Sequence, residues 1–238
     1  MRDATLGTLR TLSFIGLMAV TGGCDSNAAQ PQAPLAAVPA DLPRFDAPEA
    51  RSRTDPARHR VWLLTSEGVF LQEAGMPLKS LQLPDWLWAG APYGYLPDLA
   101  LGPKGEVVVT SDVIPTLWRI DPETLAVSAH VLVLDADGDR DVGFSGLAYS
   151  FEYGAYFAVS KNHGSLWRID PLLRRAQKVS LSEPVRHAWG LTVRPHPAEK
   201  GMQRLAGLCA HTILGSRAID LASDQRSAYL RTAGCEAS

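Results

Sequence analysis

Leu117-Trp118-Arg119-Ile120-Asp121-Pro122 recurs as Leu166-Trp167-Arg168-Ile169-Asp170-Pro171, 49 positions further along the chain. A third, looser copy follows after fifty more residues, where Ser216-Arg217-Ala218-Ile219-Asp220 keeps the Ile-Asp pair. In the other direction, Gly68-Val69-Phe70-Leu71 stands about 49 residues before the first copy. Each copy is preceded by an apolar run: Val61 to Leu64, Val107 to Val109, Tyr156 to Val159 and Leu205 to Cys209. Upstream of the last three runs lie Leu99 to Leu101, Gly146 to Tyr149 and Gly190 to Val193. A further segment follows every copy: Lys79 to Leu83, Val127 to Leu134, Ala176 to Leu181 and Ala228 to Arg231.

Short apolar runs broken by Gly, Pro, Asp and Asn, with no helical period, predict strands joined by tight turns. Each unit therefore reads as four short strands. Units of four strands and about 40 to 50 residues are the blades of a β-propeller, and one blade cannot bury both of its faces alone. The expectation is an all-β, β-propeller-like domain over 59–238 with about four four-stranded blades. The pattern resembles the six-bladed families of NHL-repeat, gluconolactonase-like and strictosidine-synthase-like proteins, and also the YVTN-type repeats of surface proteins. It differs from them in having four units, the first of which has no obvious innermost strand. The ring could be four-bladed, open, or completed by the preceding segment or another chain.

The N-terminal region reads differently. Arg2 and Arg10 precede a nearly unbroken apolar run, Leu12 to Val20, and then Gly22-Gly23-Cys24. A charged start, a short apolar core and small residues before a cut site mark a secretory signal over 1–23. The run is too short for a bilayer span, which needs about 20 apolar residues. Gly-Gly-Cys resembles a bacterial lipobox, with Thr21 where Leu, Val or Ile is usual. The resemblance implies an acylated Cys24 and a lipid-anchored protein of the cell envelope, facing the periplasm or the exterior. An ordinary signal peptide with a chance cysteine is the alternative. From 24 to 58 the chain is rich in Ala and Pro (Pro31, Pro34, Pro39, Pro43, Pro48, Pro56), and a disordered spacer is expected there.

If Cys24 carries lipid, Cys209 and Cys235 remain as a pair in an oxidising compartment. A disulfide between them is expected, against the alternative of two buried thiols. Without residues 1–23 the formal net charge is −3, and no basic stripe marks a nucleic-acid surface.

Strand order sorts the loops. In an antiparallel blade, turns between strands 2 and 3 share a face with connections from strand 4 to the next blade. That face is expected to carry Glu67, Asp98, Asp112, Asn162, His163, His187 and His211. The segment Asp135-Ala136-Asp137-Gly138-Asp139-Arg140-Asp141 falls there too. Its four carboxylates, Asp135, Asp137, Asp139 and Asp141, suit calcium, which takes about six to eight hard oxygen ligands on a flexible loop. A solvated acidic turn is the alternative. Asn162-His163-Gly164 is a turn signal first. His187 and His211 show no zinc spacing, and no Gly-x-Ser-x-Gly elbow is present. Trp118 and Trp167 hold equivalent places and read as packing residues. Trp86 and Trp88, with Tyr93 and Tyr95, fall in a Gly/Pro-rich connection and offer either an interaction surface or a cover for an exposed edge.

Two functions follow from this reading. One is a binding platform for an envelope protein or small molecule. The other, implied by the gluconolactonase-like resemblance, is a metal-dependent lactonase-like hydrolase with a divalent cation at the channel mouth.

Overall fold

The computed structural model describes residues 50–90, 96–135, 143–194, 207–231 and Cys235. These residues form strands and turns, with no helix among them. Blade 1 is β1 (Arg51–Asp55), β2 (Arg60–Thr65), β3 (Gly68–Glu73) and β4 (Lys79–Leu81), in spatial order β1-β2-β3-β4. Blade 2 repeats the order with β5 (Leu99–Leu101), β6 (Val107–Val109), β7 (Thr116–Ile120) and β8 (Val127–Val131). A short β9 (Val133–Leu134) leads into blade 3, made of β10 (Gly146–Ser150), β11 (Ala155–Val159), β12 (Leu166–Ile169) and β13 (Arg175–Leu181). Blade 4 is β14 (Ala188–Arg194), β15 (Gly207–Thr212), β16 (Gly215–Leu221) and β17 (Ser227–Arg231). All pairs inside a blade are antiparallel. At the rim, β13 pairs in parallel with both β17 and β9, which joins blades 3 and 4 into one sheet.

The expectation of four four-stranded units holds, with one correction at the start. Residues 51–55, read from sequence as part of a spacer, form the missing inner strand of blade 1. Arg-Ser-Arg-Thr-Asp carries no apolar side chain, so nothing in its pattern marks a half-buried strand. An inner strand lines the hub of the ring, where a polar face is tolerated.

The repeated hexapeptide acts at two levels. Its tryptophan packs against the preceding blade. Trp118 joins Trp62, Leu64 and Leu71 of blade 1, and Trp167 joins Val108 and Leu117 of blade 2. A third cluster joins blades 3 and 4 through Phe157, Val159, Leu208 and Ile219. The motif's aspartate builds the turn that follows. Asp121 accepts hydrogen bonds from the N–H groups of Glu123 and Thr124, at 3.0 and 2.8 Å. Asp170 accepts from Leu172, Arg174 and Arg175 at 2.9, 3.0 and 2.6 Å. These bonds hold a tight turn in which Leu125 and Leu173 take φ of 58° and 57°. That left-handed conformation is unfavourable for a branched side chain, so local hydrogen bonds must over-determine it.

Burial shows which blades are flanked. Every residue of β6 and β11 is buried, as a strand covered on both faces requires. In β2 burial alternates instead, with Trp62 and Leu64 inside and Val61 and Leu63 half-exposed. Among the described residues, no hydrophobic cluster joins blade 4 to blade 1.

Cys209 of β15 is bonded to Cys235, 26 positions further along the chain, with Cα atoms 5.9 Å apart. The bond pins the chain after β17 to the face of blade 4 that carries Cys209. Closing a loop of this length restrains the unfolded chain and is worth about 3 kcal/mol. Cys235→Ser should lower unfolding stability by about that amount, read as a fall in the urea midpoint. An unchanged midpoint would show that the bond contributes nothing to the fold.

Candidate ligand-binding mouth at the hub

Inner strands begin at one end of the hub, and their first residues meet there. In β1 the two-residue period sets Arg51 and Arg53 on one face, paired across to Leu64 and Trp62. Arg51 is 5% exposed. One of its terminal nitrogens, Nη2, donates to the carbonyls of Leu96 (3.0 Å) and Trp189 (2.6 Å). Its guanidinium carbon lies 4.8 Å from the centre of the Trp189 ring. Among the described residues, the buried Nε of Arg51 has no hydrogen-bond partner. Burial lowers the Arg51 pKa, and the Asp98 carboxylate opposes the shift.

Asp98 stands immediately before β5 and is 1% exposed. Its Oδ1 accepts from Arg53 (3.0 Å) and from the Leu99 N–H (2.9 Å), and its Oδ2 accepts from the Leu147 N–H of β10 (3.0 Å). One carboxylate thus ties blade 1 to blades 2 and 3. Arg53 also donates through Nη1 to the Ser52 carbonyl at 2.9 Å, and its side chain is 30% exposed. Beside Arg51, the Trp189 ring lies 5.3 Å from the ring of His211, tilted by 30°. His211 is held at both nitrogens, Nε2 with Thr192 Oγ1 at 3.1 Å and Nδ1 with Ser216 Oγ at 2.9 Å. Burial pushes the His211 pKa down, Arg53 and Arg51 push it further, and Asp98 opposes them. The ring is therefore neutral near neutral pH, donating to one hydroxyl and accepting from the other.

Of the residues singled out from sequence, Asp98 and His211 share this mouth. Asn162 and His163 are exposed in the β11–β12 turn. His187, also exposed and at φ 58°, ends the β13–β14 connection. That connection is fastened to the turn by the Val185 N–H donating to the Gly164 carbonyl at 2.7 Å. No described hydrogen bond or ion pair links these three residues to Arg51, Arg53 or Asp98. Trp86 and Trp88 stack with ring centres 6.4 Å apart, half-buried against the core shared by blades 1 and 2. Trp86 Nε1 donates to the Thr110 carbonyl at 2.9 Å. Buried Asp112 accepts from the Ala89 N–H at 2.8 Å, so this connection is stitched to blade 2. Burial raises the Asp112 pKa, and Lys161 opposes the rise.

Asp135 is exposed and accepts from the Lys178 N–H at 2.8 Å. Its neighbours Asp137, Asp139 and Asp141 lie outside the described residues, as does Cys24. A groove of about 450 Å³ on the outer half of blade 3 is lined by Asp135, Arg168, Asp170 and Arg175. Among the described residues, no three His, Cys, Asp or Glu groups are placed to hold a metal ion.

Arg51, Arg53 and Trp189 were not anticipated. The signal available for the arginines was the missing inner strand of the first unit, which required some segment before Val61 to supply it. Trp189 could be placed only through the position of β14.

Solved structures of similar shape identify the architecture. Virginiamycin B lyase from Staphylococcus aureus matches with a TM-score of 0.55 at 14% identity, over 82% of this chain and 59% of that one. A streptogramin B lyase matches with a TM-score of 0.54 at 14% identity, over 82% of this chain and 58% of that one. An auxiliary nutrient binding protein from Bacteroides thetaiotaomicron matches with a TM-score of 0.50 at 10% identity, over 75% and 40%. The chain has a β-propeller fold. It spans under two thirds of the length of the two lyases. No family model matches the sequence, and no curated protein matches it. The propeller fold is shared by binding proteins and enzymes, so activity must be argued from the mouth itself.

Proposed function

We propose that this propeller is a binding domain of the cell envelope, tethered through lipid on Cys24, whose ligand engages the mouth at the hub. The observation that supports binding is the convergence there of Arg51 and Arg53 from blade 1 and Trp189 and His211 from blade 4 around Asp98. A site built from separate blades near the start of their inner strands is held by several packed blades at once, which is the preorganisation that binding needs.

The chemistry of the same groups favours binding over turnover. Asp98 spends both oxygens on Arg53 and two backbone N–H groups. Both His211 nitrogens face hydroxyls, and no described carboxylate completes a relay behind the ring. A lactonase-like reading would need metal ligands that Asp98 is poorly placed to join. The Asp135 to Asp141 segment remains the place where calcium would act.

The tether reading rests on Leu12 to Val20, Gly22-Gly23-Cys24 and the Pro/Ala-rich stretch after them. Two signals usually make stable anchoring, since one acyl chain gives only marginal membrane affinity. The chain expressed in a bacterial host should partition into the detergent phase of a cloud-point extraction, and Cys24→Ser should move it to the aqueous phase. Recovery of both forms in the aqueous phase would sink the lipid anchor. The binding half is tested separately, by capture from an envelope extract on the immobilised chain. Arg53→Gln should reduce recovery, and equal recovery would take the ligand away from the mouth.

A further inference from the structure

The mouth carries an electrostatic imbalance that no described residue corrects. Two guanidinium groups, Arg51 and Arg53, face one carboxylate, Asp98. Among the described residues, Asp98 is also the one acid whose charge acts on both Arg51 and His211. Its oxygens are already occupied by Arg53 and by the N–H groups of Leu99 and Leu147. Among the described residues, Arg51 meets neutral acceptors alone, the carbonyls of Leu96 and Trp189, together with the Trp189 ring. Its buried Nε has no partner among the described residues. A guanidinium this far out of water is normally paired with an anion, because desolvating an uncompensated charge is costly.

His211 does not supply the balance. Its two nitrogens are engaged by Thr192 and Ser216, and the neutral ring adds no charge of either sign. Arg53, 30% exposed, is the arm of this pair that solvent reaches. The planar fork of a guanidinium matches an oxyanion with two oxygens, and the attraction is strengthened where water is partly excluded.

We infer that the hub mouth takes a ligand through one oxyanion group, a carboxylate or a phosphate, held by Arg53 and drawn in by the uncompensated charge of Arg51. This rests on the mouth being the binding site and names the chemistry it selects. The anion would be the missing partner of the buried arginine, so its binding should also stabilise the fold.

The test uses the full lipidated chain in non-ionic detergent, titrated calorimetrically with sodium benzoate, inorganic phosphate and neutral benzamide. Each titration is made against sodium chloride at equal ionic strength, which removes general screening. Saturable binding of benzoate alone identifies a carboxylate site, and of phosphate alone a phosphate site. Either result supports the inference when Arg53→Gln weakens binding by about tenfold or more. Arg53→Lys, which keeps the charge and loses the fork, should fall between the two. An unfolded Arg53→Gln would leave Arg53→Lys as the deciding variant, and wild-type affinity in it would overturn the role of the fork. Binding of benzamide as tight as benzoate, lost in Trp189→Ala, would overturn the anion while keeping the mouth as a site. No binding beyond chloride by any probe would overturn the inference. Envelope capture that still depends on Arg53 would then leave the mouth reading in place.

Discussion

Asp98→Ala should lower the stability of the folded chain by about 3 kcal/mol, a larger loss than an ordinary surface acid would produce. Three donors depend on this carboxylate: Arg53 and the N–H groups of Leu99 and Leu147. Its removal leaves those buried backbone groups unsatisfied, at about 1–3 kcal/mol for a typical buried donor. It also leaves Arg51 and Arg53 facing each other without an acid between them. The partial exposure of Arg53 lets water recover some of that loss, which keeps the figure at the lower end of the range for broken buried pairs. Asp98→Asn keeps one carbonyl oxygen as acceptor and should lose less than the alanine variant. Urea unfolding followed by far-ultraviolet circular dichroism measures both. A loss below about 1 kcal/mol for Asp98→Ala would mean that the three blades do not depend on this clamp.

Trp118→Ala should be comparably severe, at about 3–5 kcal/mol. The side chain is 1% exposed and fills the junction between blades 1 and 2, where a truncated residue leaves a cavity that β-sheets on either side cannot easily close. It also loses the indole donor that meets the Pro84 carbonyl at 2.7 Å. That bond anchors the start of the segment carrying Trp86 and Trp88, so the variant should loosen this connection as well as the core. Trp118→Phe would retain most of the packing and lose the hydrogen bond, which separates the two contributions. Trp167, at the same place in the next blade, donates instead to Ser165 Oγ at 2.8 Å. Trp167→Ala should match the core loss without disturbing the Trp86 segment. A Trp118→Ala protein as stable as the parent would contradict the packing role of the repeat.

The repeat was the most legible feature because each of its residues answers to local physics. The tryptophan and isoleucine must enter a junction between blades, and the aspartate must cap a turn with a left-handed residue in it. The same demand at each junction leaves the same letters 49 residues apart. The blade count and the loops sharing the mouth's face followed from that spacing and from antiparallel order. Cys209 and Cys235 could be paired by number, and their bond is present.

Other parts were invisible for physical reasons. β1 is polar along its length and was read as part of a spacer, because hub strands need not alternate apolar and polar residues. Arg51 and Trp189 lie 138 positions apart and meet only when the first and fourth blades are placed around one axis. Asn162 and His187, though on the expected face, stay in exposed turns, since strand order specifies the face of a loop and not its distance from the hub.

By itself, the sequence determined the four repeated units, the turn chemistry between their strands and the junction tryptophans, since each depends on residues close along the chain or on burial type. The tertiary structure alone decided that a polar segment before the first repeat becomes a strand, that Asp98 clamps three blades, and that two arginines meet one carboxylate at the hub. Those outcomes depend on charges brought together across long separations, and the energy of such a cluster exists only once the ring has set its distances.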